Sequence, residues 1–353
     1  NHNVPALRFP EFTGEWENIT IREACSEFQS GKNIKAEMIN DHGLYPVYGG
    51  NGLRGFTGSY NHDGDYILIG RQGALCGNVR KVTGKTYVTE HAIAVCASKE
   101  HETTFLQHLF QKMRLGQYSD QSAQPGLAVN KLLRLNINVP SKIEQGKIAK
   151  ILSLIDERIT TQNKIIEKLQ SLIKGIRNNM MSQNHGDCIA LQDIADIYQP
   201  KTIPSTDLTE DGYLVYGANG IIGKYHLYNH EKEQICITCR GNTCGTINYS
   251  EPKSWITGNA MVINTDNFAK NVNKRYLFHY LSFINFKRII SGSGQPQIVR
   301  QPLAKLKLIL PELTTQEHIA KCLDTILAKI KNEQTFLQAI QIQKSYLLSQ
   351  MFI

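Results

Sequence analysis

Residues 47–55 read VYGGNGLRG and residues 215–223 read VYGANGIIG, one block written twice with 168 positions between its copies. The same offset recurs downstream, where ILIGRQGALCGNV (67–79) answers ICITCRGNTCGTI (235–247) and YVTEHAIAV (87–95) answers WITGNAMVI (255–263). Further on the offset becomes 171. Gln124-Pro125 matches Gln295-Pro296, Pro140 matches Pro311, and Gln145, Ile148, Ala149 and Lys150 match Gln316, Ile319, Ala320 and Lys321. Blocks that return in one order at a nearly constant spacing make the chain an internal duplication. In each copy the leading stretch alternates short β-branched and aromatic runs with Gly, Asn and Asp, the texture of strands joined by tight turns. FLQHLFQKM (105–113) and YLFHYLSFI (276–284) interrupt it with helix formers, one short helix per copy. The globular parts are therefore expected to be α+β, with strands dominant.

After Pro140 and Pro311 the texture changes to uninterrupted helix former. Alternating steps of four and three pick out Ile148, Leu152, Ile155, Ile159, Gln162, Ile166, Leu169, Ile173, Ile176 and Met180. The second copy gives Ile319, Leu323, Ile326, Ile330, Glu333, Leu337, Ile340, Lys344, Leu347 and Met351. An apolar period of about 3.5 residues, sustained over heptads, is a coiled-coil seam. At about 1.5 Å per residue each seam makes a rod of roughly 50 Å. The first helix must end before the second β-rich part begins, and that part's own helix must return along it. Pairing within the chain is also favoured over homodimers because tethering raises effective concentration. An antiparallel pair is expected, with Gln162 and Glu333 near the middle of their helices. The expected boundaries are 1–140 and 186–311 for the β-rich domains, 141–185 and 312–353 for the helices.

The 353 residues leave room for two cores, and 39 Lys and Arg against 31 Asp and Glu give a formal +8, a mild preference for anionic partners. No run reaches the roughly 18 apolar residues of a membrane span. The opening NHNVPALRFPEF lacks the order of a signal peptide, so a cytoplasmic, membrane-free location is expected. Eight cysteines then read as reduced thiols. Cys236, Cys239 and Cys244 lie in and beside a strand-like ICITC, with no second Cys or His pair at zinc spacing, so no metal is expected. The chain has no GxGxxG cofactor loop, no Asn-Pro-Pro-aromatic segment of the adenine methyltransferases and no GxxxxGK[ST] phosphate loop. Its histidines stand outside any HExxH or triad context. Catalysis by the chain itself is not expected.

Two similar β-rich domains alternating with two seam-bearing helices resemble the specificity subunit of type I restriction-modification enzymes. The resemblance covers nearly the whole chain. It rests on the YGxNG turns (48–52 and 216–220), the Gly- and Arg-rich strand-turns that follow, the Gln-Pro segments, the QxxIAxxL helix entries (145–152 and 316–323) and the opening LRFPEF. It implies two target-recognition domains that each read one half of a split double-stranded DNA site, with the helices setting the spacing and docking two methyltransferase subunits. Restriction and translocase subunits would join the full complex. S-adenosylmethionine, ATP and Mg would be bound by those partners, and no cofactor by this chain. The divergence of the two copies at loop positions implies an asymmetric target. A stand-alone DNA-binding regulator and a helical protein–protein adaptor are the other readings the sequence leaves open.

Reading bases needs side chains that fork onto base edges, chiefly Arg or Lys on guanine and Asn or Gln on adenine, while cations and backbone amides hold phosphates. On Gly-rich turns of the first copy these are Lys32, Asn51, Arg54, Arg71, Gln72, Arg80, Lys81 and Gln124; in the second they are Lys201, Asn219, Lys224, Arg240, Asn242 and Gln295. Tyr48 and Tyr216 flank the repeated turn, where they either stack on nucleic acid or pack beneath it. Asn51 and Asn219 also suit a turn because Asn tolerates left-handed backbone. Arg71-Gln72 and Arg240 with Asn242 differ within one repeated strand-turn, as a change of specificity would require.

Overall fold

The computed structural model describes residues 3–120, 126–183, 185–218, 220–292 and 294–353. In the first copy the strands are β1 (Glu17–Thr20), β2 (Cys25–Ser30), β3 (Tyr45–Gly49), β4 (Gly52–Thr57), β5 (Asp65–Gly70), β6 (Val79–Thr83), β7 (Tyr87–Val88), β8 (Ala92–Ala97) and β9 (Asn136–Val139). Helices α1 (Ile21–Ala24), α2 (Thr103–Met113) and α3 (Val129–Leu132) punctuate them, and α4 (Lys142–Ser182) follows. The second copy has β10 (Asp187–Ala190), β11 (Asp196–Tyr198), β12 (Tyr213–Gly217), β13 (Gly220–Tyr225), β14 (Ile235–Thr238), β15 (Ile247–Tyr249), β16 (Trp255–Ile256), β17 (Ala260–Asn264) and β18 (Lys307–Leu310). Its helices are α5 (Lys274–Phe283), α6 (Arg300–Ala304) and α7 (Leu313–Gln350).

The duplication holds at the level of topology. The sheet β2-β8-β5-β6 returns as β11-β17-β14-β15, the sheet β4-β3-β7 as β13-β12-β16, and the ribbon β1-β9 as β10-β18. Even the irregularities repeat: the β3–β4 register slips between Val47 and Tyr48, and the β12–β13 register between Val215 and Tyr216. A bulge at one place in both copies means the hairpins bend alike.

The chain forms two compact units, one of residues 1–163 with 335–353, the other of residues 164–334. Each unit holds one β-rich domain with part of both long helices. In the first, Ile148 and Leu152 of α4 enter a core with Trp16, Phe105, Phe110, Met351 and Phe352. In the second, Ile173 of α4 enters a core with Ile319, Leu323 and Ile330 of α7 and with Tyr276 and Leu281 of α5. Asp156 bonds Lys344 at 2.7 Å and the Arg158 guanidinium lies 5.2 Å from the Phe336 ring centre, so within the first unit α4 and α7 run in opposite directions. All twenty seam positions are buried or half-buried, as an antiparallel coiled coil requires. The helices, of 41 and 38 residues, begin before the seams because each starts directly after its proline segment.

The repeated glutamines explain how each helix is tied to its domain. Gln145, fully buried, donates from Nε2 to the Pro140 carbonyl (2.9 Å) and accepts the Glu102 N–H (2.9 Å). Gln316 donates to the Pro311 (2.8 Å) and Asn271 (3.1 Å) carbonyls and accepts the Asn273 N–H (2.8 Å). One side-chain amide thus pairs backbone groups just before the short helix with those just before the long one. The opening segment is fastened to the first unit in the same spirit: Arg8 makes a two-pronged pair with Glu144 (2.8 and 2.7 Å), and the Leu7 N–H donates to the Gln350 carbonyl (2.9 Å).

Candidate nucleic-acid interface

Each unit gathers its glycine-rich turns at one end of its sheets. In the first, the β3–β4 hairpin tip meets the β5–β6 loop and the β7–β8 turn. The Thr89 N–H donates to the Tyr48 carbonyl (2.8 Å), the Arg71 N–H to the His91 carbonyl (2.9 Å) and the Leu127 N–H to the Arg71 carbonyl (2.9 Å). The second unit repeats the three bonds as Thr257 to Tyr216 (2.9 Å), Cys239 to Asn259 (3.3 Å) and Ile298 to Cys239 (3.0 Å). The tip glycines earn their place sterically. A methyl on Gly50 would fall 2.8 Å from the His91 carbonyl oxygen, and Gly52 adopts φ +104°, where only glycine is unstrained.

On this shared frame the side chains differ. In the first unit Arg54 lies with its Cδ against Gly49, Arg80 lays its guanidinium over Gly52, and Arg71 begins the β5–β6 loop. Among the described residues none of the three makes an ion pair or side-chain hydrogen bond. Asn51 and Gln72 are exposed beside them, and Gln72 bonds His91 Nδ1 at 3.0 Å. Lys32, exposed, leaves β2 with its N–H on the Val88 carbonyl at 2.9 Å, adjoining the same turn. Three guanidiniums without acid partners are what a polyanion needs.

The second unit matches these positions with Ile222 for Arg54, Cys239 for Arg71, Arg240 for Gln72 and Asn248 for Arg80. Arg240 faces Gln297 in an antiparallel bridge as Gln72 faces Gly126, so it occupies the glutamine's place and not that of Arg71. Arg240 and Asn242 are exposed on the loop, and Gln295 is exposed beside the Ser291–Gln297 bridge. Lys201 is exposed next to the β16–β17 turn, its carbonyl accepting from Trp255 Nε1 at 3.2 Å.

Four candidates stand apart from these clusters. Strand β6 sends neighbouring residues to opposite faces, so Lys81 leaves Arg80 behind and bonds Asp65 (3.0 Å) and Thr104 (3.1 Å) beside α2. Lys224 sits down the hairpin from its tip, 3.5 Å from Asp211. Tyr48 packs on Leu68, Val82 and Val88. Tyr216 is buried, which closes its ring to a stacking base, and its hydroxyl accepts the Glu251 N–H at 3.0 Å. Both tyrosines therefore pack beneath the turn. Gln124 and Asn219 lie outside the described residues.

Sequence reasoning passed over His91, Asn248 and Gln297. Adding the 168-residue offset to Arg80 leads straight to Asn248. It also passed over the repeated Asn-His pairs, which serve the frame: Asn61 bonds the N–H and carbonyl of Val88 in β7, Asn229 those of Ile256 in β16, and each bonds the following histidine, at 2.7 and 2.6 Å. Among the described residues no group of three or more His, Cys, Asp or Glu converges as metal ligands would, and burial pushes the Cys236 thiol up to about 12. No helix among the described residues is long and apolar enough to cross a membrane.

Comparison with known proteins agrees with this doubled geometry. The chain is 42% identical over 165 residues to the specificity subunit of the type I restriction enzyme EcoprrI of Escherichia coli, a match spanning 46% of this chain and 40% of that one. A Haemophilus influenzae chain assigned to the same subunit class is 22% identical over 338 residues, 88% of this chain and 86% of its own. The crystal structure of the type I restriction-modification S subunit from M. genitalium superposes with a TM-score of 0.77 at 19% identity, covering 99% of both chains. The model of the type I restriction modification DNA specificity domain matches twice, at residues 13–171 and 187–341, and the chain belongs to that family.

Proposed function

We propose that this chain is the non-catalytic, sequence-reading subunit of a type I restriction-modification assembly. Each glycine-rich cluster reads one half of a bipartite, asymmetric DNA site, and α4 and α7 set the spacing of the halves. The observation that carries this reading is the gathering of Arg54, Arg71 and Arg80, without acid partners among the described residues, on a frame that returns in the second unit with different side chains. Two copies of one frame with different reading residues suit two different half-sites, where identical residues would suit a palindrome. Apolar side chains that the long helices leave exposed, among them Leu154, Ile342 and Tyr346 in the first unit and Ile165 and Leu172 in the second, support docking of methyltransferase subunits. Those partners would hold S-adenosylmethionine, and motor and nuclease subunits ATP and Mg.

The test is methylome sequencing of a methylation-free host that expresses the chain with its methyltransferase. One split motif with unlike halves is the expected result. Absence of any complex with the methyltransferase, or DNA affinity that stays flat as salt rises, overturns the proposal.

A further inference from the structure

Each glycine-rich cluster carries an exposed apolar side chain beside its hairpin tip. Leu53 follows the positive-φ Gly52 and is 52% exposed; Ile221 follows the positive-φ Gly220 and is 57% exposed. They are the same position of the duplicated hairpin, paired opposite Tyr48 and Tyr216. A single exposed leucine on a protein surface needs no explanation. Here the exposed position is apolar in both copies, while its neighbours change from Arg54 to Ile222 and from Arg80 to Asn248. Neither side chain belongs to a core of its own unit. The surroundings name the occupant. At the same hairpin tip Arg54 lies against Gly49 and Arg80 over Gly52, without partners among the described residues, and Arg240 stands on the loop beside the second tip, so the ends that carry Leu53 and Ile221 suit a polyanion.

We propose that Leu53 and Ile221 are base-contacting residues that read the C5-methyl group of a thymine, one in each half-site; this rests on the DNA-reading function above. The major groove of B-DNA admits a two-stranded β-ribbon, and the β3–β4 and β12–β13 hairpins are the outer pairs of their three-stranded sheets, with β4 and β13, which carry Leu53 and Ile221, at the edge. On base edges in that groove the thymine methyl is the apolar group, and apolar side chains are its usual partners. The alternative use of a protruding apolar residue is a wedge that unstacks a base step. One aliphatic side chain recovers less on burial than unstacking consumes, and wedging proteins offset the rest by wrapping bent DNA. A groove contact has no such cost.

The experiment measures binding of the full chain, assembled with its methyltransferase subunits, to duplexes carrying its methylation motif. Each thymine is replaced in turn by deoxyuridine, which removes the methyl and nothing else. One replacement in each half should weaken binding about fourfold, the worth of one buried methyl. Leu53→Ala should erase the penalty in one half and Ile221→Ala in the other, while Leu53→Met keeps it. Both positions are exposed tips, so unchanged thermal midpoints are expected and checked. Halves without thymine, a flat deoxyuridine scan, or penalties that survive both alanine variants overturn the proposal. A rise in 2-aminopurine fluorescence at one step with no deoxyuridine effect also overturns it, in favour of a wedge. Equal binding to motif and scrambled duplex would instead sink the DNA-reading function itself.

Discussion

The two glycine-rich ends share a backbone and differ in charge. The Arg71 and Cys239 amides make matching hydrogen bonds, and both hairpins slip register at the same residue. Yet the first end offers the guanidiniums of Arg54, Arg71 and Arg80, where the second has Ile222, Cys239 and Asn248 and a single loop arginine, Arg240. The frame is held by main-chain bonds and by glycines, which do not depend on the side chains above them. Specificity can then change without refolding. On the proposed DNA-reading function, the contrast predicts a division of labour, with the first unit contributing more of the electrostatic affinity and the second more of its discrimination through amides and apolar contact.

The strongest way to break that contrast is salt. Replacing Arg54, Arg71 and Arg80 together by Gln should flatten the plot of log affinity against log salt by about 2.7 if all three hold phosphates, and Arg240→Gln by about 0.9. Fluorescence anisotropy titrations at several salt concentrations measure both. Equal slopes for the two variants would show that the first unit has no larger electrostatic share.

The frame itself should respond equally in the two units. Gln145→Ala strands the Glu102 N–H and the Pro140 carbonyl, and Gln316→Ala strands the Asn273 N–H and the Asn271 and Pro311 carbonyls. Each should cost roughly 2–4 kcal/mol of stability, because buried backbone groups lose their partners. Denaturant unfolding of the two variants gives the numbers. A near-neutral effect in one unit would mean that its helix is tied to its domain by packing alone.

Protonation separates the units by a smaller margin. His108 and His279 are the same position of the duplicated short helix. Burial pushes His108 down to about 4, against the pull of Asp156, whose carboxylate is 3.9 Å away. His279 is also lowered, chiefly by burial, but its Nε2 donates to Asp324 at 2.8 Å; burial raises the Asp324 carboxyl, and the His279 and Arg275 hydrogen bonds outweigh that and hold it at about 2. A histidine depressed in the folded state contributes stability that is present above its unfolded value, near 6.5, and is lost as pH falls toward the folded one. Between those limits the first unit should lose on the order of 2–3 kcal/mol. His108→Gln should remove that pH dependence; an unchanged acid limb in the unfolding midpoint would contradict it.

Much of this was legible in the sequence, because duplication and heptads are periodic and periodicity survives without coordinates. The offset of 168 to 171 residues located the repeated sheets, and the seam register placed α4 and α7 face to face. What stayed hidden was which way a side chain points. Arg80 and Lys81 are neighbours in the sequence, and only the pleat of β6 sends one to the tip and the other to Asp65. Gln145 and Gln316 looked like part of a family signature at the helix entries; their clamp joins segments 43 residues apart, and sequence spacing does not reveal such a contact. The sequence leaves Tyr216 either stacking on nucleic acid or packing beneath the turn, and its burial, with the hydroxyl on the Glu251 amide, decides for packing. The alignment of Arg240 with Gln72 needed the bridges to Gln297 and Gly126 to fix it.

The smallest effect tests the contrast most directly, because the same substitution is made twice. Gly52 (φ +104°) and Gly220 (φ +89°) both hold backbone that an alanine resists, so Gly52→Ala and Gly220→Ala should each cost about 1 kcal/mol of stability. Above the backbone the two sites differ. At Gly52 the new methyl would lie 2.9 Å from a guanidinium nitrogen of Arg80, too close to stay; at Gly220 it would meet Asn248 Oδ1 at 3.9 Å, an ordinary contact. Arg80 is flexible and has no acid partner among the described residues, so it moves off the tip at little cost to folding. Thermal midpoints should therefore fall together, while DNA affinity and its salt slope fall further for Gly52→Ala. Equal binding losses would mean that Arg80 is not held in place by the glycine beneath it, and that the first cluster's charge does not depend on the shape of the hairpin.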